Sequence, residues 1–168
     1  MTHWMIGILI ALVLLWIGLR RRSRRSPLDV EGKLIWLDKE GSAASFTNDE
    51  FYVCGKPDFI YKQKRGILAI EYKSRNGPVF EGDIVQAKVA ALAARGSRRY
   101  RVDRILIKTR STERYVALPA EDAQLYREVE RYVEMVRTAK EGGVLTASPT
   151  VPKCRSCGYR TPCADSLA

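Results

Sequence analysis

Residues 55–73, GKPDFIYKQKRGILAIEYK, decide how this chain is read. Pro57, Asp58, Phe59, Ile60 and Tyr61 form one strand, residues 62–66 a polar turn closing on glycine, and residues 67–73 a second strand. The unit is therefore a β-hairpin. Side chains alternate across a strand, so Ile67, Ala69, Glu71 and Lys73 share one face while Leu68, Ile70 and Tyr72 share the other. If Asp58 falls on the Glu71 face of the partner strand, two carboxylates and one ammonium converge at the end of an apolar sheet. Hard carboxylate oxygens suit Mg2+ or Mn2+, an ion that polarises a phosphoryl oxygen and lowers the pKa of a bound water. Lys73 would orient or deprotonate that water. The competing reading is a solvated i, i+2 ion pair on an edge strand.

Outward from the hairpin, residues 33–38 form an apolar strand turned by residues 39–42, and Phe46 begins another extended piece. Residues 48–50 form a turn or an acidic lip, Glu50 is either a helper in holding a metal or a surface residue, and residues 51–54 run into the hairpin. Downstream, residues 74–78 form a loop. Val85, Val89 and Leu92 then repeat at helical spacing over residues 82–95, with Asp83 at the N-terminus and Gly96 at the end. Gln86 and Ala90 lie on the neighbouring stripe. Strands follow around Val102, Ile105 and Ile107 and over residues 114–118. Residues 119–122 open a long helix through Leu125, Val129, Tyr132, Val133 and Val136, which closes at Gly142 and Gly143.

The chain has 168 residues, 46% apolar and 29% charged, enough for one domain with a modest core. Residues 1–19 stand apart: they carry no charge apart from a neutral histidine, hold Trp4 and Trp16 near the two ends, and stop at Arg20, Arg21, Arg22, Arg24 and Arg25. That length and composition suit a membrane-crossing helix, and the arginines favour a cytoplasmic C-terminal side. A cleaved signal peptide would need its charge before the apolar run and small residues after it, and both are missing. Of the net charge of +10, five units belong to this arginine cluster and five to the domain. Arg95, Arg98, Arg99, Arg101, Arg104, Lys108 and Arg110 are opposed only by Asp103. They form either a nucleic-acid-binding stripe that collects phosphate contacts or a solvated charge run. Tyr100 and Tyr115 would stack on bases or pack in strands.

Cys154, Cys157 and Cys163 crowd a short C-terminal segment. In a reducing compartment that spacing points to a metal rather than disulfides. A bound metal would staple a tail with too few apolar residues to fold alone. Thiolate ligation does not by itself separate an iron-sulfur cluster from zinc.

Gly55-x-Pro57-Asp58, followed by the apolar run into Glu71-x-Lys73, resembles the motifs of the PD-(D/E)XK nuclease superfamily. The segment KCRSCGYRTPC is similar to the C-terminal cysteine motif of its RecB-like branch, in particular the CRISPR-associated exonucleases that carry a four-cysteine [4Fe-4S] cluster. The resemblance implies Asp58, Glu71 and the carbonyl of Tyr72 as metal ligands, Lys73 as the catalytic lysine, and Gln86 facing the site. Cys54, with Cys154, Cys157 and Cys163, would complete the cluster. This chain departs from the pattern in three ways: Ala90 replaces a tyrosine, Cys54 lies four residues before Asp58, and the upstream histidine is unmatched.

The implied fold is α/β, a restriction-endonuclease-like mixed central sheet flanked by helices, with an N-terminal transmembrane helix and a cysteine-bound C-terminal tail. The expected divisions are an anchor (1–19), a basic linker (20–30), a nuclease-like domain (31–148) and a cysteine-rich tail (149–168). The expected activity is metal-dependent hydrolysis of DNA by a single-pass membrane protein with its catalytic domain in the cytoplasm, working with protein partners in DNA processing. Two alternatives stand beside it. One is a tethered nucleic-acid-binding protein without catalysis, its tail holding zinc or a cluster structurally. The other is a membrane redox sensor that does not touch DNA.

Overall fold

The structure is a computed structural model that describes residues 7–8, 13, 28–39, 43–97, 100–155 and 157–168. Among the described residues no helix is long and apolar enough to cross a membrane. The expected anchor, apart from Gly7, Ile8 and Val13, lies outside the described residues, as do Arg98 and Arg99. Two compact units divide at residues 129 and 130: Met1–Val129 and Glu130–Ala168.

The first unit is built on a five-stranded mixed sheet in the order β1-β4-β5-β6-β7. Its strands are β1 (Lys33–Leu37), β4 (Phe59–Gln63), β5 (Gly66–Tyr72), β6 (Val102–Lys108) and β7 (Glu113–Ala117). A separate two-stranded ribbon joins β2 (Phe46–Asn48) to β3 (Val53–Gly55). All neighbours in the large sheet are antiparallel except β5 and β6. A parallel pair needs a crossover, and helix α1 (Glu81–Gly96) supplies it.

The hairpin forms as its residues dictate, but its turn is tighter than residues 62–66. Pairing continues to Gln63 and Gly66, leaving Lys64 and Arg65 at the tip. Gly66 has φ of +105°, and a Cβ there would overlap the Asp103 carboxylate, which accepts the Ile67 N–H at 2.7 Å. Asp103 is passed over in the β5–β6 register, between Val102 opposite Ile67 and Arg104 opposite Leu68. A bulge residue thus anchors the start of the central strand.

Alternation sorts the sheet into two cores. Ile60, Ala69, Ile105 and Ile107 pack with Ala87, Ala91 and Ala94 of α1, while Tyr61, Leu68, Ile70 and Leu106 pack with Val30 on the opposite face. The buried face of α1 is mostly alanine; Leu92 is fully buried, and Val85 and Val89 are only half-buried. Small residues are required because α1 is covered on both sides. The ribbon packs Gly55 so closely on α1 that a Cβ added there would sit 3.2 Å from the Ala90 Cα, and Gly96 packs so closely on Asn48 that it has no room for a Cβ. The Asn48 amide donates to the Leu92 carbonyl at 3.1 Å.

The long helix expected after residue 119 is interrupted. Helix α2 (Asp122–Arg127) ends in a tight turn where Val129 N–H bonds to the Tyr126 carbonyl at 2.9 Å, and α3 (Glu130–Lys140) starts anew. Leu125 and Val129 are fully buried, whereas α3 has no buried residue, so Tyr132, Val133 and Val136 do not continue the covering face. The glycine stop is as expected: Gly142, at φ +82°, donates to Ala139 O and Gly143 to Thr138 O, the paired bonds of a Schellman cap.

Gly66→Ala combines a left-handed backbone with a steric overlap. It should cost about 1–3 kcal/mol, read as a lower urea midpoint at unchanged denaturant slope.

Candidate functional site

The β4–β5 register pairs Phe59 with Ile70, and continuing it by one residue sets Asp58 across from Glu71. Asp58 N–H donates to Ile70 O at 3.0 Å, and Tyr72 N–H donates to Asp58 Oδ2 at 2.6 Å. Tyr72, implied as a ligand through its carbonyl, thus holds Asp58 through its amide.

Glu71 belongs to the Ala69 face and points under α1, where it is 4% exposed. Gln86 donates through Nε2 to Glu71 Oε1 at 2.8 Å, while Lys73 Nζ donates to Glu71 Oε1 at 2.9 Å and to Gln86 Oε1 at 2.8 Å. These three bonds close a ring. Glu71 Oε2 is buried without a hydrogen-bond partner.

Both carboxyls are pushed above their ordinary range. Burial is the main cause at Asp58, opposed by the Tyr72 N–H and the Lys73 ammonium. At Glu71 burial again leads; the Lys73 hydrogen bond opposes it, and the Asp58 and Asp83 carboxylates add to it. An orphaned carboxylate oxygen beside a second strained carboxylate is the donor set a hard divalent cation satisfies, so the residues fit Mg2+ or Mn2+.

Three neighbours complete the setting. Asp38, just past β1, donates its N–H to Asp58 O at 3.0 Å, and its carboxylate pairs with Lys56 Nζ at 2.9 Å. Lys56 holds the Asp38 carboxyl below its usual range. Behind Lys73, the Arg75 guanidinium bonds to Asp83, which also accepts the Phe80 N–H at 2.8 Å. Burial would raise the Asp83 carboxyl, but Arg75 and the Phe80 amide outweigh it and hold it low. Lys56 stands two residues before Asp58, the same i, i+2 spacing as Glu71 and Lys73, and that was its sequence signal. Asp38 gave none, because its place depends on the β1–β4 pairing.

Among the described members of the basic stripe, Arg95 and Arg104 are turned away from this site, whereas Lys108 O accepts the Lys73 N–H at 2.8 Å and Arg110 N–H donates to Arg75 O at 3.1 Å. Arg95 is 7% exposed; its guanidinium donates to Val102 O at 2.8 and 2.5 Å, to Pro119 O at 2.9 Å and to Asp122 Oδ1 at 3.0 Å. It is an internal clamp and not a phosphate contact. Arg104 pairs with Leu68 in register, so it lies on the sheet face opposite Glu71, where it donates to Gln63 Oε1 at 2.7 Å. Arg101 is exposed and donates to Ala120 O. Tyr100 packs edge-on against Phe46 at 5.7 Å, and Tyr115 is exposed on the Leu106 face. Glu50 is exposed.

In the second unit, Cys154 is buried on α4 (Val151–Arg155), Cys163 is half-buried and Cys157 is exposed, all three as free thiols. Successive turns join them: Cys157 N–H to Cys154 O at 3.2 Å, Arg160 N–H to Cys157 O at 3.3 Å, and Cys163 N–H to Arg160 O at 3.4 Å. The Leu167 N–H points at Cys154 Sγ at 3.4 Å. Cys54 is exposed on β3 of the first unit. Among the described residues no group of three or more His, Cys, Asp or Glu is gathered tightly enough to hold a metal by itself.

Two acids, an amine and a glutamine thus gather where β5 ends beside β6, under α1. A family profile described as the PD-(D/E)XK nuclease superfamily matches residues 5–164, and the chain belongs to that superfamily. No curated protein matches it in sequence. Among solved structures the chain is similar to the crystal structure of SSO0001, at 16% identity and a TM-score of 0.40 over 95% of this chain and 71% of that one.

The raised Glu71 carboxyl has a stability consequence. Its fold-derived preference for the proton is present in full below the ordinary glutamate range and is lost as pH rises through the folded-state pKa. Metal-free Glu71→Gln, which carries no charge, should therefore unfold at higher urea than wild type at neutral pH. The gap should close in acid, and it should narrow when Mg2+ is added, because the ion stabilises only the carboxylate form.

Proposed function

We propose that this chain is a divalent-metal-dependent deoxyribonuclease, hydrolysing phosphodiester bonds in exonuclease-like fashion. The observation that carries the reading is the buried Glu71 carboxylate with its free Oε2, set beside Asp58 and bonded to Lys73. Superfamily membership supplies DNA as the substrate class. Asp58 and Glu71, with the Tyr72 carbonyl by the family pattern, would hold the ion. When bound, Mg2+ or Mn2+ polarises a phosphoryl oxygen and lowers the pKa of a water. Lys73 supplies a fixed ammonium that orients the attacking water or neutralises a phosphate oxygen. Gln86 holds that ammonium against Glu71, so the amine needs no rearrangement before it acts.

The finer assignment is to the RecB-like branch with a [4Fe-4S] cluster on Cys154, Cys157, Cys163 and Cys54. It is supported by the cysteine spacing and by the Leu167 N–H directed at Cys154 Sγ, a contact that stabilises a metal thiolate. Zinc on the same thiols is the alternative cofactor. Anchoring by residues 1–19, with the catalytic domain cytoplasmic, rests on their hydropathy and on the arginines that follow. Partners in DNA processing fit this reading. Against the non-catalytic tethered binder stands one observation among the described residues: Arg95, a member of its basic stripe, is spent inside the fold.

Asp58→Ala, Glu71→Ala and Lys73→Ala should each lower Mg2+-dependent cleavage of DNA by about 10²-fold or more, measured on labelled oligonucleotides. Full cleavage in all three would remove the mechanism. Anaerobic purification followed by iron, sulfide and zinc analysis tests the cofactor. The expected result is iron and sulfide with visible absorption, lost in Cys157→Ser; stoichiometric zinc without iron would replace the cluster with a zinc site.

A further inference from the structure

At the head of α1 an aromatic ring occupies a position that favours a short polar side chain. Phe80 is the N-cap residue, makes no side-chain cap hydrogen bond, and is 56% exposed. Ser, Thr, Asp or Asn there would satisfy an open amide of the first turn. The helix start is secured by other means: Asp83 accepts the Phe80 N–H at 2.8 Å, and Phe80 O accepts from Asp83 at 3.1 Å and Ile84 at 3.3 Å.

The loop that presents the ring is pinned. Thr109 Oγ1 donates to Gly77 O at 2.9 Å, Gly77 N–H donates to Ser111 Oγ at 2.9 Å, and Arg110 N–H donates to Arg75 O at 3.1 Å. The Arg75 guanidinium lies over the ring, 4.8 Å from its centroid, and is itself tied to Asp83. The ring is therefore fixed, backed by a cation and open to solvent. Its exposed sequence neighbours are Asn76, Pro78, Glu81 and Gly82, of which only Pro78 is apolar, so the ring is not part of a broad apolar docking patch. It is linked to the reaction centre on both sides: Arg75 follows Lys73 by two residues, and Asp83, bonded to Arg75, lies three residues before Gln86 on α1.

We infer that Phe80, backed by Arg75, is a stacking platform for one nucleobase of the DNA strand whose phosphodiester meets Glu71 and Lys73, an inference that rests on the nuclease reading. Every base offers a π-face, so such a platform positions a strand without selecting its sequence. An N-cap at the mouth of the site is a suitable place for it, since the helix fixes the ring relative to Gln86.

The test uses the full chain in detergent with Mg2+ and a set of single-stranded oligonucleotides, each carrying one abasic position. For the wild type, one abasic position near the cleaved bond should raise KM by about 5- to 150-fold. Phe80→Ser should show that rise with the intact oligonucleotide, and the abasic position should then add nothing. Phe80→Trp should restore both the low KM and the abasic penalty. Serine is the better N-cap, so the thermal midpoint of Phe80→Ser should not fall, which separates lost stacking from unfolding. An unchanged KM in Phe80→Ser, or a raised KM that keeps the full abasic penalty, would overturn the platform while leaving the nuclease intact. Absence of cleavage by the wild type with either Mg2+ or Mn2+ would instead refute the nuclease reading, and the platform with it.

Discussion

The site depends on a carboxylate placed where it is not comfortable. Glu71 is carried under α1 by the alternation of β5, and only one of its oxygens is met by protein donors. Leaving a buried acceptor unpaired costs about 1–3 kcal/mol, and the second acid, Asp58, sits directly across the hairpin. The fold tolerates this because Glu71 closes a well-packed stretch, with Ile70 before it and Ile105, Leu106 and Ile107 on the neighbouring strand all 0% exposed, while Gln86 and Lys73 meet it from the open side. The strain is local and electrostatic, of the kind a bound cation relieves.

The precision of that placement comes from the smallest side chains in the chain. Helix α1 lies between the sheet and the β2–β3 ribbon, and Ala87, Ala91 and Ala94 on one side and Ala90 on the other let both layers approach its backbone. Close packing on two sides fixes the helix in rotation as well as translation. Gln86 therefore reaches Glu71 and Lys73 from a rigid element, and the ring of hydrogen bonds among them is preorganised.

Much of this was legible in the sequence. The hairpin, the Glu-x-Lys face and the helix that follows come from local alternation and helical period, and Asp83 at the start of α1 follows from capping chemistry. The Arg95 error was avoidable in principle: Arg95 is four residues beyond Ala91 and eight beyond Ala87, so the helical period puts it on the buried stripe, and a count of charges hid that. Arg104 is different. Alternation groups it with Leu106 and Lys108, but which face of β6 meets α1 is set by pairing with β5 across thirty-odd residues, and no local pattern reports it. The same holds for Asp38, whose approach to Asp58 needs the β1–β4 register. The interrupted helix at Val129 was hidden for a converse reason: the apolar period runs on through Tyr132, Val133 and Val136 although burial stops.

The replacement of the family's tyrosine by Ala90, four residues after Gln86, also has a physical explanation. One turn beyond Gln86 the ribbon closes over the helix, so tightly that a Cβ added to Gly55 would sit 3.2 Å from the Ala90 Cα, and a phenol at position 90 would have to displace β3. A ring on that stripe is incompatible with the ribbon as packed. Among the described residues an exposed ring lies on the other side of Gln86, at Phe80, where the chain enters the helix. Close packing has removed the aromatic from the helix interior, and the uncovered end of the same helix is the place where a ring can meet solvent while staying rigidly tied to Gln86, Glu71 and Lys73.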